Sequence, residues 1–199
     1  MCCFGFTLYN MNQTSLCVSI PFFSFFLAVD KGEYVGDWEN NLMHGQGTRR
    51  FPNGDLYVGP YVQGRREGTD GRFYYTNGDL FVGEWKEDRM HGFGRYYYHH
   101  GQRFEGDFFQ GMRHGKGKLQ RLDGSLDCFR YRNNLRQGTG ARFSADRKSA
   151  WKLINGRQKK ITIAEAVSIM YEIENSVENQ TSTAHNQDIP SMVPQGLTV

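Results

Sequence analysis

Residues 34–47 read YVGDWENNLMHGQG, residues 81–94 read FVGEWKEDRMHGFG, and residues 104–117 read FEGDFFQGMRHGKG. All three open with an aromatic residue, place glycine two positions on and a second aromatic two positions later, and close on His-Gly-x-Gly. Working outward, the same register extends to five units. Their leading column is Tyr34, Tyr57, Phe81, Phe104 and Asp127, at steps of 23, 24, 23 and 23 residues. The next column is Gly36, Gly59, Gly83, Gly106 and, breaking the rule, Phe129; the second ring column is Trp38, Tyr61, Trp85, Phe108 and Tyr131. The closing glycines are Gly47, Gly71, Gly94, Gly117 and Gly140. The single 24-residue step is a one-residue insertion between Gly68 and Gly71. Periodicity of this kind is the mark of a repeat architecture and takes precedence over any single motif.

Aromatic, glycine and aromatic at i, i+2 and i+4 is strand spacing, which places all three on one face of a sheet. Asn41, Gly64, Asp88, Gly111 and Asn134, three residues after the second ring, mark one turn per unit. Asn53-Gly54, Asn77-Gly78, His100-Gly101 and Asp123-Gly124 mark a second. The strand between the turns again alternates, as in Gly71, Phe73, Tyr75 and Gly94, Tyr96, Tyr98. The fold class that follows is an all-β repeat protein: one elongated antiparallel meander of two-stranded units over residues 32–145. Tyr34, Trp38, Tyr57, Tyr61, Phe81, Trp85, Phe104 and Phe108 are expected on a shared face. Five units advancing about 10 Å each give a sheet roughly 50 Å long. Composition agrees, because 24 glycines with 15% aromatic residues and no Gly-x-y period fit a thin, turn-rich sheet.

The pattern Tyr34-x-Gly36-x-Trp38 with His44-Gly45-x-Gly47, repeated at Phe81 to Gly94 and Phe104 to Gly117, resembles the MORN repeat. The resemblance covers about residues 32–145. It implies a scaffold or adaptor that attaches other molecules, as in membrane-junction, cytoskeletal and ciliary proteins, and it implies no particular partner. Asp127 and Phe129 are where the fifth unit departs from the family's pattern.

The flanks read differently. Residues 1–31 form an N-terminal apolar extension that is expected not to be part of the array, because no repeat column lies in it. Its run Leu16–Val29 holds Pro21, Ser19 and Ser24 and is short for a bilayer span. It has no basic region ahead of it, as a secretory signal would. A worn sixth unit and basic linker occupy 146–160, with Ala150, Lys152 and Ile154 in the ring, glycine and ring columns. In 161–175, Ile163, Ala166, Val167, Met170 and Ile173 recur at helical spacing behind a Thr162/Glu165 capping pair, which predicts an amphipathic helix over about 162–175. Its expected role is to cover part of the sheet. The polar tail 176–199 is expected to be disordered.

The formal charge of +3 conceals an asymmetry. Arg113 to Lys160 carries 14 Lys and Arg against three acids, while the rest of the chain carries 10 against 18. Arg130, Arg132, Arg142, Arg147, Lys148, Lys152, Arg157, Lys159 and Lys160 are therefore a candidate anion-binding patch. The eight rings named above are the candidate partner-binding face.

Catalytic, cofactor and metal readings find little support. His44, His91 and His114 recur in one column, but equivalent positions of adjacent units lie about 10 Å apart, too far to share an ion. The Gly-x-Gly pairs precede no helix that would make them phosphate loops. Ser125, Ser144 and Ser149 lack the strand, turn and helix context of a nucleophile elbow. No site for catalysis, cofactor or metal is assigned. The four cysteines form no metal or disulfide framework, which favours a reduced cytoplasmic setting. A protein partner is expected first and an anionic phospholipid surface second. A further copy of the chain is another candidate, and nucleic acid is disfavoured because no recognition motif accompanies the basic segment.

Overall fold

The structure, a computed structural model, describes residues 15–20, 23–28 and 32–175, with side chains from residue 32 onward. The tail 176–199 and the cysteines Cys2 and Cys3 lie outside the described residues.

The strands are β1 (Ser15–Ile20), β2 (Phe23–Ala28), β3 (Gly32–Glu39), β4 (Leu42–Arg50), β5 (Leu56–Val62), β6 (Arg65–Arg66), β7 (Gly68–Tyr74) and β8 (Leu80–Lys86). They continue as β9 (Arg89–Tyr97), β10 (Arg103–Phe109), β11 (Met112–Gln120), β12 (Leu126–Arg132), β13 (Leu135–Phe143), β14 (Ala150–Ile154) and β15 (Arg157–Ile161). One helix, α1 (Ile163–Asn175), follows. Each strand pairs antiparallel with the next in a single 15-stranded sheet, except that β5 is followed by β7 while β6 pairs β5 on the side. The meander deduced from the columns is therefore the fold. The apolar segment ahead of the repeats adds two strands to its edge, with β2 pairing β3 from Ser24↔Gly36 to Ala28↔Gly32. The worn sixth unit forms the hairpin β14–β15 at the other end.

Turn chemistry explains the regularity. Asn40-Asn41, Gln63-Gly64, Glu87-Asp88, Gln110-Gly111, Asn133-Asn134 and Asn155-Gly156 all hold two successive positive φ values, the two-residue turn whose twist suits a hairpin. A bulge then recurs where the first strand of a unit meets the second. Asp37, Glu84 and Asp107 brace it by accepting the N–H of Gln46, Phe93 and Lys116 at 2.9, 3.1 and 3.1 Å. The second unit has Pro60 in that column and no carboxylate to offer. There the strand breaks into β6 and β7 at Glu67, just ahead of the inserted residue, and Glu67 N–H donates to the Pro60 carbonyl instead.

Adjacent units are also stitched at their turns. The N–H groups of Gly64, Asp88, Gly111 and Asn134 donate to the carbonyls of Met43, Arg66, Met90 and Arg113, one unit back. At the opposite turns, Asp55 accepts Thr76 N–H at 2.8 Å and Asp79 accepts His99 N–H at 2.8 Å.

The main core lies on one face and holds Tyr34, Tyr57, Tyr61, Phe81, Trp85, Phe104, Phe108 and Tyr131. A smaller core of Cys128, Ala141, Phe143, Ala150, Ala166 and Ile173 lies on the other face of the last strands, under α1. Alternation fixes this assignment, since Cys128 and Ala141 point away from Asp127, Phe129 and Arg142. The capping pair forms as read: Glu165 accepts Thr162 N–H at 2.8 Å and donates its own N–H to Thr162 Oγ1 at 3.2 Å. Lys118 Nζ, 2.6 Å from Glu174, and Arg130, donating to the Ile173 carbonyl at 3.1 Å, tie the helix end to the sheet. Ile163 and Val167, grouped by helical spacing with the apolar stripe, remain 37% and 45% exposed, while Ile169 joins the packed side. No helix among the described residues is long and apolar enough to cross a membrane.

Candidate partner-binding surface

The rings of the two aromatic columns share one face, in one continuous chain. The sequence Trp38, Tyr34, Tyr61, Tyr57, Trp85, Phe81, Phe108, Phe104, Tyr131 runs edge to face at every step, with centroids 5.1–5.5 Å apart and planes at 78–89°. Such pairs contribute about 0.5–1.5 kcal/mol each beyond their buried area. They fit only because the paired glycines leave the backbone bare: a Cβ on Gly94 would lie 2.5 Å from the Phe81 ring. Tyr57, Phe81 and Phe104 are 0% exposed. Burial, and then the Asp37 carboxylate, push the Tyr34 hydroxyl up to about 12, and burial likewise raises Tyr57 and Tyr61. These rings hold the units together, so the accessible part of this face is built by their neighbours.

A second row lies beside them on the same face, at the ends of the second strands. Phe51, Phe73, Tyr75, Tyr96 and Tyr98 touch in that order, with centroids 4.6–5.7 Å apart and planes tilted by 36–48°. Phe73 is buried, while Phe51, Tyr75, Tyr96 and Tyr98 are half-buried and present their outer edges. Arg49 lies over Phe51 at 4.7 Å and Arg66 over Trp85 at 4.3 Å. Arg66 is fixed by Asp88, which accepts from its Nε at 3.1 Å. The row spans three units. Sequence reading took Phe73, Tyr75, Tyr96 and Tyr98 only as proof of strand period; the signal for a surface was that two aromatics follow the closing glycine where one would fill the core.

Asp79 anchors this row. Burial alone would raise its pKa, but the backbone and ring N–H groups of His99, the Tyr96 hydroxyl and the Asn77 amide together hold the carboxyl at about 2. Its contacts are 2.8 Å to His99 N, 3.0 Å to His99 Nδ1, 2.9 Å to Tyr96 Oη and 3.1 Å to Asn77 Nδ2.

The structure divides the candidate basic patch. Arg142 lies on the aromatic face, where Asp127 accepts from its Nε at 2.6 Å and its Nη2 at 2.9 Å, and that bonding raises the guanidinium's pKa. Arg130 is on the opposite face, tied to α1, and Arg147 donates to the carbonyls of Gly124 and Ser144. Lys152 and Lys159 come together on the helix-bearing face, Arg157 at the β14–β15 turn borders both faces, Lys160 points the other way, and exposed Arg132 and Lys148 stand apart at a strand end and a turn. Among the described residues no group of His, Cys, Asp or Glu is placed to hold a metal ion. His91 and His114 pack on Phe109, 5.4 and 5.7 Å away.

Asp127 occupies a ring position yet is 0% exposed, encircled by Arg121, Arg136 and Arg142 at 3.5, 3.1 and 2.6 Å. Phe129, in a glycine position, takes over the missing ring's place against Gly140.

The model of the MORN repeat matches residues 34–56, 81–103 and 104–126. The chain carries MORN repeats at these three positions. The two repeat units without a match are those with a physical irregularity, the second with Pro60 and its insertion, the fifth with Asp127 and Phe129 in place of ring and glycine. No curated protein matches the chain in sequence. Among solved structures, the TCP domain of Drosophila melanogaster SAS-4 (dCPAP), in complex with a proline-rich motif of Ana2 (dSTIL), is similar at 12% identity with a TM-score of 0.44, covering 78% of this chain and 97% of that one. The TCP10 domain of Danio rerio CPAP, in complex with a peptide of Danio rerio STIL, gives 12% identity and a TM-score of 0.43, covering 75% of each chain.

Proposed function

We propose that this MORN array is a non-catalytic scaffold that binds an extended segment of a protein partner along the row Phe51, Tyr75, Tyr96 and Tyr98. The observation that carries the reading is the position of these rings: half-buried, held by the core beneath them, and continuous across three units. Rigid aromatic edges with polar tips offer contact area at small entropic cost, which is why tyrosine is enriched in binding surfaces. The cellular setting we propose is a cytoskeletal or ciliary assembly in the cytoplasm, and it rests on the family resemblance alone.

The test is site-specific photo-cross-linking in cells, with a benzophenone amino acid at position 75, 98 or 74. Tyr74 is 39% exposed and adjacent in sequence, but points to the other face. Adducts at 75 and 98 that are absent at 74, and lost when the other row tyrosine is changed to Ala, support the row. Equal adducts at 74 refute it.

A second reading, attachment to an anionic phospholipid surface, is favoured by β15, whose Arg157, Gln158, Lys159 and Lys160 are all exposed. Each basic residue near such a surface gains about 1 kcal/mol. Co-sedimentation with phosphatidylserine vesicles should then fall with salt and with Lys148, Arg157, Lys159 and Lys160 changed to Gln. Binding insensitive to both removes this reading.

A further inference from the structure

The aromatic chain stops at the fifth unit, and a cavity of about 330 Å³ opens where it stops. Phe129 has no ring neighbour among the described residues; in its place the Arg136 guanidinium lies 4.6 Å from its centroid. Elsewhere the next unit supplies that neighbour, as Trp85 does for Tyr57 and Tyr131 for Phe104. The sixth unit brings no ring to the cavity, and its apolar side chains there are Leu153 and Ile154. At its mouth Gly138 and Gly156 face open space, since a Cβ on either would meet nothing within 4 Å.

The charge around the cavity has one sign. Arg136, Arg142 and Arg157 line it and no acidic residue does. The nearby carboxylate of Asp127 is fully buried, and both its oxygens are already engaged by arginines. Three guanidiniums converge on that single carboxylate, so the excess positive charge is directed at the opening.

From apolar floor and basic wall together, we propose that this cavity receives an aromatic side chain from an acidic segment of a protein partner. The entering ring stacks beside Phe129 and continues the chain of rings, while flanking carboxylates meet Arg136 and Arg157. The inference rests on the reading of the array as a protein-binding scaffold, but uses a different surface from the tyrosine row.

The probe is the peptide N-acetyl-Glu-Glu-Trp-Glu-amide, titrated into the isotope-labelled full chain and followed by NMR. Saturable shifts are expected at the amides of Phe129, Gly138 and Gly156. Replacing Trp by Ala should weaken binding about tenfold, as loss of a buried ring does. Replacing the three Glu by Gln, or Arg157→Gln in the protein, should weaken it about threefold, with the remaining difference abolished in high salt. Arg157 is exposed, so its variant folds. Leu153→Trp fills the cavity from within and should abolish binding. Equal affinity for the Gln peptide, shifts confined to Lys152 and Lys159, displacement of the peptide by inorganic phosphate at equal concentration, or no saturation by 5 mM peptide on the order of weak-interface affinities would each overturn the proposal. Tyr75→Ala should leave the titration unchanged, so failure of the tyrosine row and failure of the cavity are separately visible.

Discussion

Asp79→Asn is the sharpest test of how neighbouring units are joined. Asp79 sits in the turn after β7; two of its four hydrogen bonds reach His99 in the turn after β9 and a third reaches Tyr96 within β9, so its loss should loosen one joint without touching the ring core. Its carboxyl is held at about 2 against an ordinary 3.8, a difference that corresponds to about 2 kcal/mol of stability at neutral pH. The sign follows from the direction of the shift. A depressed carboxyl contributes fully above the unfolded value, near pH 4, and the contribution disappears as pH falls through about 2. Asn keeps the shape and one acceptor but loses the charge, and its amide opposes that of Asn77. At pH 7 the variant should therefore be about 2 kcal/mol less stable in denaturant unfolding, a fall of about 4–8 °C in melting temperature for a chain of this size. Hydrogen exchange of the His99 amide should accelerate most. Between pH 7 and 5 the gap to the parent should be constant, and below pH 4 it should close. A loss under about 0.5 kcal/mol, or a gap that persists at pH 2, would refute the assignment of these bonds as charge-assisted.

Gly94→Ala should cost about 3 kcal/mol, because its Cβ meets the buried Phe81 ring, whereas Gly111→Ala, with open space but a φ of +83°, should cost only about 1–2 kcal/mol of backbone strain; urea unfolding of both ranks them. Removal of residues 1–29 deletes the strand that pairs β3, yet no repeat column, so cooperative melting should survive with a fall of a few degrees on the order of an edge-strand loss. Asp127→Ala leaves three arginines around an uncompensated hole and should cost about 3–5 kcal/mol, while Asp127→Phe with Phe129→Gly restores the regular columns and should fall within about 1 kcal/mol of the parent by thermal denaturation.

Much of the fold was legible because a repeat states each constraint several times. A glycine at position 94 means little alone, but five glycines in register, each opposite a ring column, specify which backbone a ring must cross. Turn residues such as Asn40-Asn41 and Gln110-Gly111 fixed the hairpins, and the Thr162/Glu165 pair fixed the helix start. The surface was harder to read. Period two assigns a ring to a face but not to a depth. Tyr57 and Tyr75 obey the same alternation, yet Tyr57 crosses a paired glycine and is covered by Trp85, while Tyr75 lies beyond the last glycine and keeps an exposed edge. The basic segment failed for a related reason. Summed charge does not say which face a side chain takes, and Arg142 and Lys152, one strand apart, point to opposite sides.

The departure at Asp127 and Phe129 then acquires a physical sense. In a regular unit each ring is covered by the next, so an array of identical units can end only by exposing its last ring or by changing the rule. Here the fifth unit moves its ring two residues along the strand and sinks a carboxylate where the ring had been. That carboxylate collects Arg121 from the preceding turn and Arg136 and Arg142 from β13, turning the end of an apolar stack into a basic, open wall. On the other face, α1 covers the apolar patch of the same strands, and β15 ends the sheet with a row of exposed cations, which also discourages pairing with another chain. The irregular unit thus closes the core while leaving one part of the aromatic face accessible, and it is on this opening that the proposed end-on binding cavity rests.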